Sequence, residues 1–201
     1  MNAPVDDAPS PSVMPGPRRP DVAFLVRHPA HFIALGAGSG LAPFAPGTFG
    51  TLWGWASFVA LNLWWGGSRH ADLIWGIVLV VGLAVGWWAC TRAAQHLQVA
   101  DPGAVVWDEI LAIWLVLWFI TPYGILGQTL GFILFRYFDA AKPGPIGWAD
   151  GLFKLHRGES IGWAQGFGIL FDDLVAALCT LLVLAAAVAM RQGGVTAGLM
   201  S

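Results

Sequence analysis

The feature that most restricts this chain is a series of five apolar runs, Phe49 to Trp65, Leu73 to Cys90, Val105 to Ile120, Ile125 to Phe138 and Leu174 to Met190. About 20 apolar residues in a helix cross a hydrocarbon core of roughly 30 Å, and inside that core every backbone polar group has to be satisfied within the fold. With 57% hydrophobic residues, twelve Trp and a mean hydropathy of +0.66, the chain is too apolar for a soluble domain of 201 residues. The expected fold is all-α, a multi-pass membrane helical bundle of about five apolar helices. Trp64 with Trp65 and Trp87 with Trp88 stand at run ends, where amphipathic rings suit the membrane interface. The third and fourth runs are short for full spans, so tilting, local thinning or stopping short of one face is expected of them.

The flanks differ in character. Residues 1–21 hold six of the thirteen prolines and no apolar run that would serve as a signal-peptide core, which predicts a disordered tail. Residues 22–190 form the expected membrane domain, and 191–201 a flexible, small-residue tail. Before the first run lies a loop rich in Gly and Pro, Gly36 to Thr48, with His28 and His31 ahead of it at helical spacing. Such a histidine pair serves more often as interfacial polar groups than as metal ligands. Cys90 and Cys179 sit in apolar runs as small core residues and imply no disulfide framework. A net charge of -2 and the lack of a basic stripe exclude nucleic acid as a partner.

Cations set the orientation. With a cytoplasmic N-terminus, Arg18, Arg19, Arg27, Arg92, Arg136, Lys142, Lys154 and Arg157 fall inside and only Arg69 and Arg191 outside, eight against two. The same threading brings Asp101, Asp108, Glu109, Asp139, Asp172 and Asp173 to the cytoplasmic side, although acids carry no weight in that rule.

These acids are the chemistry. Asp108 and Glu109 enter the third run, Asp139 leaves the fourth, and Asp172 and Asp173 enter the last, where their simplest reading is a helix N-cap. Carboxylates gathered in an apolar setting need a compensating cation. A hard divalent ion, Mg2+, fits oxygen ligands drawn from several helices and is commonly shared with a phosphate. Asp108, Asp139 and Asp173 are the candidate ligands, Glu109 the candidate general base, and Asp172 a further catalytic candidate. Arg136 and Lys142, three residues either side of Asp139, would hold phosphate oxygens, Arg as a fork and Lys as a point charge. The plainer account of Arg136 is that it neutralises Asp139 at a helix end. Lys142 precedes Pro143, so it is expected to end the helix and reach back from the first loop residue. In the glycine loop and the turn after it, Ser39, Gly47, Thr48 and Thr51 are candidate substrate contacts, since exposed backbone N-H groups receive anions.

Four motifs in order, G-S-G-L-A-P-F-A-P-G-T-F-G-T from Gly38, V-W-D-E from Val106, F-R-Y-F-D-A-A-K-P-G-P-I from Phe135 and G-F-G-I-L-F-D-D from Gly166, resemble those of the phosphatidylglycerophosphatase A family. The resemblance spans about Leu35 to Ala177. It implies a helical enzyme of the bacterial inner membrane, its active site facing the cytoplasm, that uses Mg2+ to remove the terminal phosphate of the anionic phospholipid phosphatidylglycerophosphate. Thr51 stands where Ser is expected, Ala112 and Ala177 where Gly is expected, and the loop from Trp148 to Gly166 is long; no charged motif residue is lost.

Two other classes fit the charge pattern less well. A cation- or proton-coupled transporter would spread its carboxylates through the membrane depth, whereas these gather at one face beside Arg and Lys. A phosphatidyltransferase would carry D-x-x-D-G...D-x-x-x-D, but Asp139 is followed by Ala-Ala-Lys. Neither cysteine opens a C-x5-R loop, and no D-x-D-x-[TV] nucleophile motif occurs. In sealed, right-side-out vesicles of a cysteine-free background, a probe cysteine replacing Ala140 is expected to resist an impermeant maleimide and to react after permeabilisation. Full labelling from outside would reverse the orientation.

Overall fold

A computed structural model describes residues 19–153 and 160–199, with side chains up to residue 192. Arg18, Lys154 and Arg157, and the proline-rich tail up to residue 18, lie outside the described residues. Eight α-helices follow in order: α1 (Val22–Arg27), α2 (Pro29–Ala34), α3 (Pro46–Trp65), α4 (Ala71–Leu97), α5 (Trp107–Ile120), α6 (Gly124–Ala141), α7 (Pro145–Leu152) and α8 (Trp163–Leu199). Two 3-10 turns, Gly36–Leu41 and Thr121–Tyr123, complete the list, and no strand occurs among the described residues.

Among the described residues, three helical segments are long and apolar enough to cross a membrane, Ala71–Leu97, Trp107–Ala141 and Trp163–Gln192. The second is not a straight rod. Gly124 takes φ 65 and ψ -162, outside the helical region, and α6 folds back along α5. A Cβ on Gly131 would come within 3.1 Å of Val116, and Arg136 at the far end of α6 reaches Glu109 at the start of α5. At about 1.5 Å per residue, α5 with its 14 residues is roughly 21 Å long, short of the hydrocarbon core. The two short runs are thus the arms of one helical hairpin.

The bundle is built around α5. Ile110, Leu111, Ala112, Ile113, Trp114, Val116, Leu117 and Ile120 are all buried, so beyond its first turn α5 is apolar and enclosed on most of its circumference, with Phe119 near its end exposed. Without a hydrophobic drive between helices in lipid, close backbone approach and polar links hold such a bundle together. Gly54 of α3 supplies the approach, since a Cβ there would lie 3.1 Å from the Ile110 Cα, and Trp114 Nε1 donates to the Gly54 carbonyl at 2.9 Å. At the far end, Trp75 of α4 stacks on Phe58 of α3 with ring centroids 4.3 Å apart. Trp118 of α5 donates to Asp72 of α4 there at 3.0 Å. Helices α3, α4, α5, α6 and α8 alternate in direction, so one end of the bundle collects the starts of α3, α5 and α8 and the ends of α4 and α6.

The short helices cover that end. His28 caps α2 by accepting from the Ala30 N-H at 3.0 Å, and the Ala34 carbonyl accepts from the Val106 N-H at 2.9 Å, tying α2 to the start of α5. His31, only 1% exposed, stacks on Phe24 and bonds through both ring nitrogens. Its Nδ1 faces the Phe24 carbonyl at 2.7 Å, which only accepts, so Nδ1 carries a proton. In the neutral ring Nε2 therefore accepts from His96 Nδ1 of α4, 2.7 Å away. The histidine pair read as interfacial polar groups thus acts within the fold, through a partner 65 residues on.

Burial is the largest influence on His31 and lowers its pKa; the Phe24 carbonyl opposes this, and His96, His28 and Arg27 lower it further. The folded value lies below the ordinary 6.5, so the unfolded chain binds the extra proton first as pH falls. Stability from the neutral ring is complete above that ordinary value and is lost on acidification toward the folded value. The thermal midpoint in detergent is expected to fall between about pH 7 and about pH 5, and His31→Asn to flatten that slope. An identical slope in the variant would remove His31 from the account.

Candidate active site

Asp108 and Glu109 occupy the first turn of α5, where the helix dipole favours negative charge, and Val106 immediately before has its N-H taken by Ala34. Asp173 lies not at a helix cap but well inside α8, about 15 Å from its first residue at 1.5 Å per residue. The expected N-cap is overturned because α8 begins at Trp163: residues 163–171 contain no proline and continue the helix. Close packing of α8 on α4 brings the acid inward. A Cβ at Gly166 would lie 2.8 Å from the Thr91 Cα, so only glycine allows that approach.

One carboxylate oxygen from each of Asp108, Glu109 and Asp173 falls within 4.8 Å of the others. Asp108 Oδ1, Glu109 Oε2 and Asp173 Oδ2 are buried and have no hydrogen-bond partner among the described residues. Three crowded carboxyl groups, each with a buried oxygen unmet, form an arrangement that a hard cation completes. The donor set, all carboxylate oxygen, suits Mg2+ or Mn2+ and disfavours softer ions.

Beside this trio sits Arg136 of α6. Its Nη1 donates to Asp139 Oδ2 at 2.5 Å and to Thr51 Oγ1 at 3.2 Å, and lies 4.0 Å from Glu109 Oε1. Thr51 in turn donates to the Gly47 carbonyl at 2.8 Å. A Cβ on Gly47 would collide with Glu109 Oε1 and stand 3.3 Å from Arg136 Nη2, so the first turn of α3 closes directly over the acid and the arginine. Asp139 belongs to the same group: it is ion-paired with Arg136 and neighbours Asp173.

A second cluster adjoins it. Lys142 ends α6, as its place before Pro143 predicts, but it does so in the left-handed region, φ 43 and ψ 50, and not in the extended region that a following proline favours. Its Nζ donates to Asp172 Oδ2 at 2.5 Å and to Asp150 Oδ1 at 2.6 Å. Burial pulls the Lys142 pKa down, but the hydrogen bonds and charges of Asp150 and Asp172 outweigh it and hold the ammonium above its ordinary value.

The structure therefore brings together Gly47, Thr51, Asp108, Glu109, Arg136, Asp139 and Asp173, and sets Lys142 and Asp172 beside them. Ser39 is held elsewhere, its hydroxyl donating to the Gly36 carbonyl within the 3-10 turn at 3.0 Å. Thr48 is half-buried in the first turn of α3, its N-H bonded to the Ala45 carbonyl. Asp150 was missed by the sequence reading. It stands in a stretch expected to be loop, and helical order from Pro145 to Leu152 is what aims it at Lys142.

The family model described as Phosphatidylglycerophosphatase A matches residues 32–188. A protein of Escherichia coli named Phosphatidylglycerophosphatase A is 33% identical over 163 residues, covering 80% of this chain and 86% of that protein. A Haemophilus influenzae protein of the same name is 33% identical over 156 residues, 78% of this chain and 86% of that protein. No solved structure matches the chain.

Crowding in the acidic trio makes a prediction. Without divalent ions, Asp108→Asn relieves repulsion and is expected to raise the thermal midpoint, by about 2–4 °C for each kcal/mol relieved. A lowered midpoint would mean that protein partners already compensate the charge.

Proposed function

Since the chain belongs to the phosphatidylglycerophosphatase A family, we propose that it hydrolyses the terminal phosphate monoester of phosphatidylglycerophosphate, with Mg2+ held by Asp108, Glu109 and Asp173, at the cytoplasmic face of the bacterial inner membrane. It is a membrane phosphatase; the substrate, the ion and the sidedness are the proposal. One observation carries it. Asp108, Glu109 and Asp173 each bring a carboxylate oxygen within 4.8 Å of the others, and each has a buried oxygen without a partner among the described residues, beside an arginine and a helix start at one end of the bundle.

Mg2+ bound there would supply Lewis-acid charge to the phosphate and to the attacking water. The chain supplies the rest. Arg136, held in plane by Asp139 and Thr51, presents its guanidinium toward the space beside Glu109 and takes phosphate oxygens as charge builds on them. The start of α3 at Gly47 adds the positive end of a helix dipole to the same space. Glu109 turns Oε1 toward Arg136, and we assign it the proton of the attacking water. The water oxygen bonds to phosphorus, the bond from phosphorus to the glycerol oxygen breaks, and that oxygen takes a proton from solvent. Products are phosphatidylglycerol and inorganic phosphate.

The purified protein in detergent is expected to release phosphate from phosphatidylglycerophosphate with Mg2+ and to stop on chelation. Arg136→Lys keeps the charge but loses the fork, and a kcat lower by about 100-fold is expected. Folded protein that releases no phosphate with Mg2+ present would refute the assignment, and an Arg136→Lys variant of full activity would remove the fork from it.

A further inference from the structure

The second cluster has a role that a phosphate ligand would not need. We propose that Asp150 is a positioning residue: with Asp172 it clamps Lys142, and the clamp fixes the rotation of α8 that aims Asp173 at Asp108 and Glu109. The inference rests on the reading of the acidic trio as a metal site.

Asp172 and Asp173 are consecutive on one helix, so their side chains diverge by about 100°. Whichever way Asp172 is drawn decides where Asp173 points. Asp172 Oδ2 is drawn to Lys142 Nζ at 2.5 Å, and Asp173, 3% exposed, turns to the trio. Lys142 has little freedom to follow α8 if that helix turns. Its N-H is fixed to the Phe138 carbonyl at 2.9 Å by the cap of α6, three residues from Asp139. Its ammonium is held from the other side by Asp150, on an α7 seated by buried Ile146 and Ala149. One ammonium thus joins the end of α6, the second turn of α7 and the interior of α8.

Geometry argues against the alternative. Asp150 and Asp172 already take hydrogen bonds from the Lys142 ammonium, at 2.6 and 2.5 Å. Arg136 lies closer to the trio, 4.0 Å from Glu109, and is the better anion ligand.

The test uses the full chain in detergent, with Asp150→Asn, Lys142→Met and Lys142→Arg. Hydrogen exchange over residues 145–152 reads the clamp itself, Mn2+ titration followed by electron paramagnetic resonance reads the trio, and kinetics separate kcat from KM. Asp150→Asn and Lys142→Met are both expected to speed exchange and to weaken Mn2+ by about tenfold, although Asp150 is not among the trio. Both should lower kcat while KM for the lipid and inhibition by inorganic phosphate stay as in the parent. Lys142→Arg, which keeps both contacts, should recover most of the Mn2+ affinity. Unchanged exchange and Mn2+ affinity in Asp150→Asn would overturn the clamp. So would a Lys142→Met variant whose KM and phosphate inhibition alone change, which would make Lys142 a phosphate ligand. A parent protein that binds no Mn2+ would instead defeat the metal reading, and the exchange data would still decide whether the clamp exists.

Discussion

Asp108, Glu109 and Asp173 are held together with one buried oxygen each that finds no partner among the described residues, and much else in the structure is arranged around that constraint. A buried carboxylate is destabilising unless compensated, and three within 4.8 Å repel one another besides. The bundle withstands this because α5, which carries two of them, is also its most enclosed helix. Ridges of buried Ile, Leu, Val and Trp anchor α5 on most of its circumference, so the strain at its first turn cannot be relieved by a shift of the helix.

Geometry at this end follows from the hairpin of α5 and α6. Because the chain turns at Thr121–Gly124, the end of α6 returns to the level where α5 began, and Arg136 arrives beside Glu109. A continuous helix would have carried the arginine to the opposite side of the membrane. Glycines then set the distances: Gly54 lets α3 lie against α5, Gly166 lets α8 lie against α4, and Gly47 leaves room for Glu109 and Arg136.

Much of this was legible in the sequence. Apolar run lengths foretold the short third helix, and the place of Lys142 before Pro143 foretold the end of α6. The charged members of the site were visible because charge in so apolar a chain is conspicuous. What stayed hidden needed tertiary contact. The Arg136–Asp139 pair was readable from their spacing of three, but spacing could not tell that Glu109, rather than Asp139, would join Asp108 and Asp173, since that depends on the relative rotation of α5, α6 and α8. The start of α8 was misplaced because Gly162, Gly166 and Gly168 punctuate the stretch before the last apolar run, and Asp150 was overlooked because Pro143, Pro145, Gly147 and Gly151 mark its surroundings as loop. The bond between His31 and His96 spans 65 positions and leaves no local pattern at all.

The central claim is that one divalent ion at the trio meets the phosphomonoester of the lipid. Phosphorus NMR of phosphatidylglycerophosphate bound to the protein, with Mn2+ as a paramagnetic substitute, tests it most directly. The account predicts strong broadening of the terminal phosphate, much weaker broadening of the internal phosphodiester, and loss of that contrast in Asp173→Asn. Equal broadening of both phosphates, or a contrast that survives in Asp173→Asn, would contradict it.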